Sequence, residues 1–395
     1  MNFFKLSAVF MFLFATQVRA ETPARIPVPI QKEWTVLFYF NGKSELETYA
    51  IKNFKELETI GSSDNVNFVA ELGRMRKQQA DDYSNGDWTG IRRYYIEKKP
   101  GRLIGSPALE TTTKVDMGDW RHLRDFINWG MTNYPARKYM LVVWNHGTGW
   151  KSLGKQLVPA DKNKGISYDW ETGNHITAIE MAKALNVGKK IDVFVNDACY
   201  MQDMAVDYEI RNYTDFIVGT PAVMPNGGLN YTHMARELVQ RYTMSPEQLS
   251  GLLVTGFREK YEKAGKQAFL SVVRTSALDS FANLFKLAIK QSIRPLLRGE
   301  AAKYQNYPFA ETKDMLHIIN ILDASNVYIS NMPTQLRTVL ENNVLIAQVS
   351  VPPLKKPAAL LALYFPADTY DPQFDALSFT TYTGWGKWLR TNIGR

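Results

Sequence analysis

The chain carries one cysteine, Cys199, two residues past a strand-like apolar run at 191–197 (IDVFVND) and inside the string N-D-A-C-Y-M. A second apolar run, residues 139–144, ends in W-N-H-G-T-G-W and places His146 at its tip. A thiol can attack a carbonyl once its proton is removed, and an imidazole can take that proton and return it to a leaving group. In a wound α/β sheet, parallel strands deliver such side chains to one carboxyl-end rim, where these sheets bind ligands. If the two strands are neighbours, the pair is equipped for nucleophilic acyl transfer, as in a cysteine hydrolase acting on peptides.

The residues beside the pair extend this chemistry. Gly147 lets backbone pass close to a bound peptide, and its N–H with that of Cys199 could form an oxyanion hole. Asp197 puts a negative charge two residues before the nucleophile, able to pair with a substrate Lys or Arg; the alternative is a cap on the following helix. Cys199 lies between a strand and a helix, so the helix dipole could favour thiolate. Duller roles stand beside these: an inert buried cysteine and a hydrogen-bonded loop histidine. Of the other histidines, His122, His233 and His317 sit in helical or amphipathic contexts, and His175 is the rival base. Trp150 could pack or line a cleft.

Elements must bring these groups together. Residues 34–40 (WTVLFYF) form a near-continuous apolar run, as expected of a strand buried on both faces. Residues 44–60 have helical spacing and stop at Gly61. Strands are predicted at 66–72, 91–96, 139–144, 191–197, 215–220 and 268–273, and near 344–350 and 358–365. Helices are predicted at 120–129, at 201–210, and in the patterns 231–242, 246–261 and 278–297. Thr177 with Glu180 makes a capping box for a further helix. Residues 147–174 read as a long irregular loop. Strands alternating with helices argue for an α/β fold with a mostly parallel sheet.

Residues 1–20 read as an export signal: Lys5, an apolar stretch at 6–15, and Val18-Arg19-Ala20 as the cleavage pattern. An apolar run of ten is too short to span a membrane, so the expected location is periplasmic or secreted. An exposed free thiol in an oxidising compartment is a liability unless it is used. The formal charge is +8, and its Lys and Arg are dispersed among acids. Nucleic-acid binding would want a clustered patch, so none is expected. A peptide or protein substrate is the expected partner. The oligomeric state is not legible.

W-T-V-L-F-Y-F-N-G, W-N-H-G-T-G-W and N-D-A-C-Y-M together resemble the clostripain family of cysteine peptidases, in the caspase-like clan. The likeness runs from about Trp34 to Tyr231 and weakens beyond residue 240. It implies a caspase-haemoglobinase-like α/β/α sandwich, with a catalytic core at 34–240 after an extended lead-in at 21–33. Residues 241–395 would be a helical and mixed C-terminal part of the same unit. It implies His146 as base, Cys199 as nucleophile, Gly147 and Cys199 amides as oxyanion donors, and Asp197 in a pocket for a basic side chain. The 53-residue spacing of His146 and Cys199 fits the roughly 50 residues of caspases.

The pattern also departs from the family. An acid is expected in the loop after the first strand, where Lys43 and Ser44 stand, and acids are expected where the chain has Pro221, Ala222 and Met224. The chemistry requires no cofactor, although such enzymes can need calcium. Asp81, Asp82 and Asp87 cluster in one turn but match no EF-hand spacing, and no metal ligand is assigned. Lys151, Lys155, Lys162 and Lys164 fit either self-cleavage or a solvated loop. Two rival functions remain: a catalytically silent envelope protein that binds a peptide or partner in the same cleft, and a thiol acyltransferase or amidase.

Overall fold

The computed structural model describes residues 31–76, 82–150, 165–291, 311–324, 331–366 and 369–392. The export signal, most of the lead-in, Asp81 and the four loop lysines lie outside these residues.

In chain order the N-terminal half runs β1 (Lys32–Asn41), α1 (Glu47–Glu58), β2 (Val66–Arg74), β3 (Gly90–Tyr95), β4 (Ala108–Thr112), α2 (Trp120–Asn133), β5 (Ala136–Trp144), β6 (Ile166–Asp169), β7 (Asn174–Ile176), α3 (Ala178–Leu185), β8 (Ile191–Asp197) and α4 (Met204–Ile210). Then come β9 (Thr214–Gly219), α5 (Tyr231–Gln240), α6 (Pro246–Ala264), β10 (Ala268–Arg274), α7 (Leu278–Gln291), β11 (Thr312–Asp314), α8 (Met315–Ala324), α9 (Met332–Val339), β12 (Leu345–Val351), β13 (Ala362–Tyr364), α10 (Ser378–Thr383) and α11 (Trp385–Asn392).

Nine strands form one sheet in the order β12-β10-β9-β8-β5-β1-β2-β3-β4. The five from β9 to β2 are mutually parallel, and antiparallel strands extend both edges. Alternation along β1 sends Leu37 and Tyr39 to one face and Val36, Phe38 and Phe40 to the other, as strand periodicity requires. α2, α3, α4 and α7 cover the first face; α1, α5 and α6 cover the second. This is the α/β/α sandwich expected. The residues of α8, α10 and α11 join the core of the first face.

Some boundaries shift. β13 is only three residues long and pairs with β11 outside the main sheet, where a longer strand at 358–365 was expected. The helix after the cysteine starts at Met204, capped by Asp203 through the Ala205 and Val206 amides. Asp197 therefore does not cap it. The Thr177–Glu180 capping box is present on α3. Part of the presumed irregular loop is the β6–β7 hairpin. Among the described residues no helix is long and apolar enough to cross a membrane.

On α4, Asp207 is fully buried and neither carboxyl oxygen has a partner among the described residues. Burial, then the neighbouring Asp203 carboxyl, pushes its pKa well up, and burial raises Asp203 to about 7. A raised native pKa means stability present at low pH and lost as pH rises through the native value. Asp207→Asn is expected to stabilise the fold more at pH 8.5 than at pH 5, because the wild-type loss accumulates as pH rises above the unfolded carboxyl value. Thermal melts at both pH values check this, and equal shifts at the two would contradict it.

Candidate active site

β5 and β8 are neighbours, in a register that sets Trp144 beside Asp197. The turns leaving them therefore start side by side at the carboxyl edge. Chain order reverses beside this pair, between β1 and β5, with β2 on the other side of β1; open α/β sheets bind ligands at such a switch. His146 and Cys199 line one cleft of about 310 Å³ with Asp197 and Gly147; Leu46, Tyr49, Trp144, Met224 and Gly228 form its walls.

Cys199 is partly exposed. The Met224 amide donates to its Sγ at 3.3 Å. Burial nevertheless pushes the thiol up to about 11; the Met224 hydrogen bond opposes this and Asp197 adds to it. The expected help from a helix dipole is absent, because α4 begins five residues beyond the thiol and the dipole acts over about one turn. The resting thiol is thus neutral near pH 7 and needs a base.

Gly147 lies against the turn that carries Cys199. A Cβ there would sit 2.5 Å from the Cys199 carbonyl and 2.8 Å from Met201 Cγ. On either side of it, Thr148 N–H donates to the Gly165 carbonyl and Ser167 N–H to the His146 carbonyl. The Gly147 amide is outside that ladder, and neither it nor the Cys199 amide donates to a backbone carbonyl among the described residues. Gly147→Ala must move the cysteine turn, and a displacement near 1 Å costs about 10²-fold in rate. The expected result is a roughly 10²-fold lower kcat with the melting temperature nearly kept; unchanged turnover would show that this close approach is not needed.

Asp197 is 2% exposed at the cleft floor. Its Oδ2 accepts from Tyr231 Oη at 2.5 Å and from the Leu229 amide at 3.1 Å, while Oδ1 has no partner among the described residues. Burial raises its pKa, against the pull of Tyr231, Leu229 and Lys260. The turn holding it is pinned from α6: Lys260 donates to the Gly227 and Leu229 carbonyls and Tyr261 to that of Gly228. Gly228, at φ +57°, fits because a Cβ would lie 2.4 Å from Asp197 Oδ2.

One group escaped the sequence reading. Glu45 Oε1 lies 2.9 Å from His146 Nε2, one residue past the Lys43-Ser44 pair where an acid was sought. The imidazole is also parallel to the Trp170 indole, with centroids 6.0 Å apart. The segment with Pro221 and Ala222 supplies no acid to the cleft; Met224 walls it and Val223 is half exposed at its rim.

The rivals are placed elsewhere. His175 stacks on Tyr168 in the β6–β7 hairpin. His122 pairs with Glu71 and His233 with Glu259. Trp150 packs between Tyr364 and Phe374, so it belongs to the core. Asp82 accepts from Ser84 and its carbonyl accepts from Arg74. No cluster of three or more His, Cys, Asp or Glu able to hold a metal occurs among the described residues.

Comparison with known proteins adds four findings. A profile of the clostripain family, Peptidase C11, matches residues 38–341. The chain is 28% identical over 216 residues to clostripain from Hathewaya histolytica, a match covering 50% of this chain and 40% of that protein. It thus spans under half the length of this relative. It also shares its fold with an inactive zymogen of a C11 protease from Parabacteroides distasonis (TM-score 0.67, 19% identity, 90% of this chain and 99% of the other). A secreted C11 cysteine protease from Bacteroides thetaiotaomicron, solved with an irreversible peptide inhibitor, is similarly alike (TM-score 0.65, 19% identity, 90% and 99%).

Proposed function

The chain belongs to the clostripain family, and from that premise we propose that it is an exported cysteine endopeptidase cutting after a basic residue. The observation that carries the reading is the arrival of His146 and Cys199 from adjacent parallel strands in one cleft whose floor is a buried carboxylate.

The proposed reaction runs on side chains and backbone amides alone. A substrate Lys or Arg enters toward Asp197 Oδ1, the oxygen without a partner among the described residues. His146 takes the thiol proton as Sγ attacks the scissile carbonyl. The Gly147 and Cys199 amides receive the oxyanion, where donors are worth most. His146 then protonates the leaving amine as the C–N bond breaks. A water gives its proton to His146 and its oxygen to the thioester, and the C–S bond breaks to free acid and thiol. The covalent intermediate divides one hard step into two easier ones.

The neutral, partly covered thiol and the missing acids at Pro221, Ala222 and Met224 favour a second reading, a silent protein that holds a peptide in the same cleft. A fluorogenic peptide library separates the two. Cleavage concentrated after Lys or Arg, with a thioester trapped on Cys199 in acid, supports the peptidase. Peptide binding without cleavage would select the silent protein.

A further inference from the structure

We infer that Glu45 is a positioning residue for the base: a carboxylate that holds His146 in place and faces the charge that develops on its ring during proton transfer. This rests on the peptidase reading, because it gives His146 the role of base.

The loop after β1 is built to hold one shape. Asn145 donates to the Asn41 carbonyl, the Lys43 amide to Asn41 Oδ1, and the Leu46 amide to Ser44 Oγ. Gly42 fits only without a side chain, since a Cβ would meet the Gly73 carbonyl at 2.6 Å. These contacts aim Glu45 at the imidazole. Its Oε1 stands 2.9 Å from Nε2, close enough to pair, but too bent for a hydrogen bond in this conformation; catalytic contacts often align only when substrate tightens them. Oε2 has no partner among the described residues, so no competing bond draws the carboxylate away.

The same loop fixes the other side of the ring. Lys43, wholly buried, pairs with Asp169 at 3.2 Å and Glu171 at 2.8 Å, and also donates to the Val115 carbonyl. Its own carbonyl accepts from the Trp170 amide at 3.0 Å. That ties the β6–β7 hairpin, with Trp170 parallel to His146, to the segment bearing Glu45. The indole against its face and the carboxylate at its edge together fix the plane of the imidazole.

The tautomer follows. Neutral histidine has one N–H, and its placement is set by the partner of that nitrogen. A proton on Nε2 facing Glu45 leaves the Nδ1 lone pair to take the Cys199 proton. After transfer both nitrogens carry protons and the positive ring faces Glu45. The carboxylate itself gains no proton.

The test compares wild type with Glu45→Gln and Glu45→Ala on a cleaved peptide, with melting temperatures recorded. Glu45→Gln is expected to lower kcat about 10- to 100-fold, less than removal of a general base, with KM within twofold. Formate is expected to restore turnover of Glu45→Ala in a saturable manner, because a free carboxylate can occupy the vacated space; a merely structural role would not respond. Glu45→Gln within twofold of wild-type kcat, or a loss in Glu45→Ala that formate does not repair, overturns the inference while leaving the peptidase reading intact. A folded wild type that cleaves no peptide overturns both.

Discussion

Cys199→Ala is expected to remove covalent labelling by peptidyl acyloxymethyl ketones altogether, and His146→Ala to slow it by about 10³-fold or more. Removing either member of such a nucleophile–base unit typically costs 10⁴-fold or beyond in turnover. The structure gives a separate reason for dependence on the histidine. With the thiol raised to about 11 by burial, very little thiolate is present at neutral pH. In the proposed mechanism His146 therefore removes the proton as attack proceeds. The sign is definite: with the base gone, the residual rate should climb with pH toward the thiol's own titration, whereas wild type should not require alkali. Mass spectrometry of labelled protein with rates at pH 6.5, 7.5 and 9 decides. Label on Cys199→Ala would point to another nucleophile. A His146→Ala rate equal to wild type would mean that the thiol reacts unaided.

The strands that carry the pair were legible because burial on both faces leaves an apolar run with little alternation; residues 139–144 and 191–197 are such runs. β4 was not legible. Its five residues, ALETT, are all exposed, so burial imprinted no pattern on them. The β6–β7 hairpin was hidden in a polar stretch because its contacts are a few specific pairs, such as Asp169 with Lys43, rather than an apolar stripe. Asp197 was legible as a charge near the nucleophile, yet its partners come from Leu229 and Tyr231, more than thirty residues on. Glu45 lies far from His146 in sequence and meets it only when β1 and β5 pair. The signal that could have found it was the family's acid after the first strand, sought one residue too early. The neutral thiol could not be read at all, since desolvation depends on Met224 and the other cleft walls.

Asp197→Asn is expected to reduce the preference for Lys or Arg over a neutral isostere such as norleucine by about 10²-fold in kcat/KM. Removing one partner of a buried charge pair usually costs 2–5 kcal/mol, and 10²-fold is near the low end of that range. The substitution isolates charge from shape, because an asparagine oxygen can still accept from Tyr231 and the Leu229 amide. The wall made by Trp144, Met224 and Gly228 stays in place, so cleavage after norleucine should be nearly unchanged. Acidity offers an independent check. Burial holds the Asp197 pKa above the usual value, so the carboxylate protonates earlier on acidification than an exposed aspartate. The preference for a basic residue should then fade at a higher pH than an ordinary aspartate would impose, and Asp197→Asn should have no such slope. Lys260 opposes the rise while donating to the carbonyls of the Asp197 turn, so Lys260→Met is unsuitable as a control because it would disturb charge and shape together. If wild type and Asp197→Asn discriminate equally between lysine and norleucine, the buried carboxylate serves the turn rather than the substrate, and the peptidase keeps its chemistry but loses its proposed taste for basic residues.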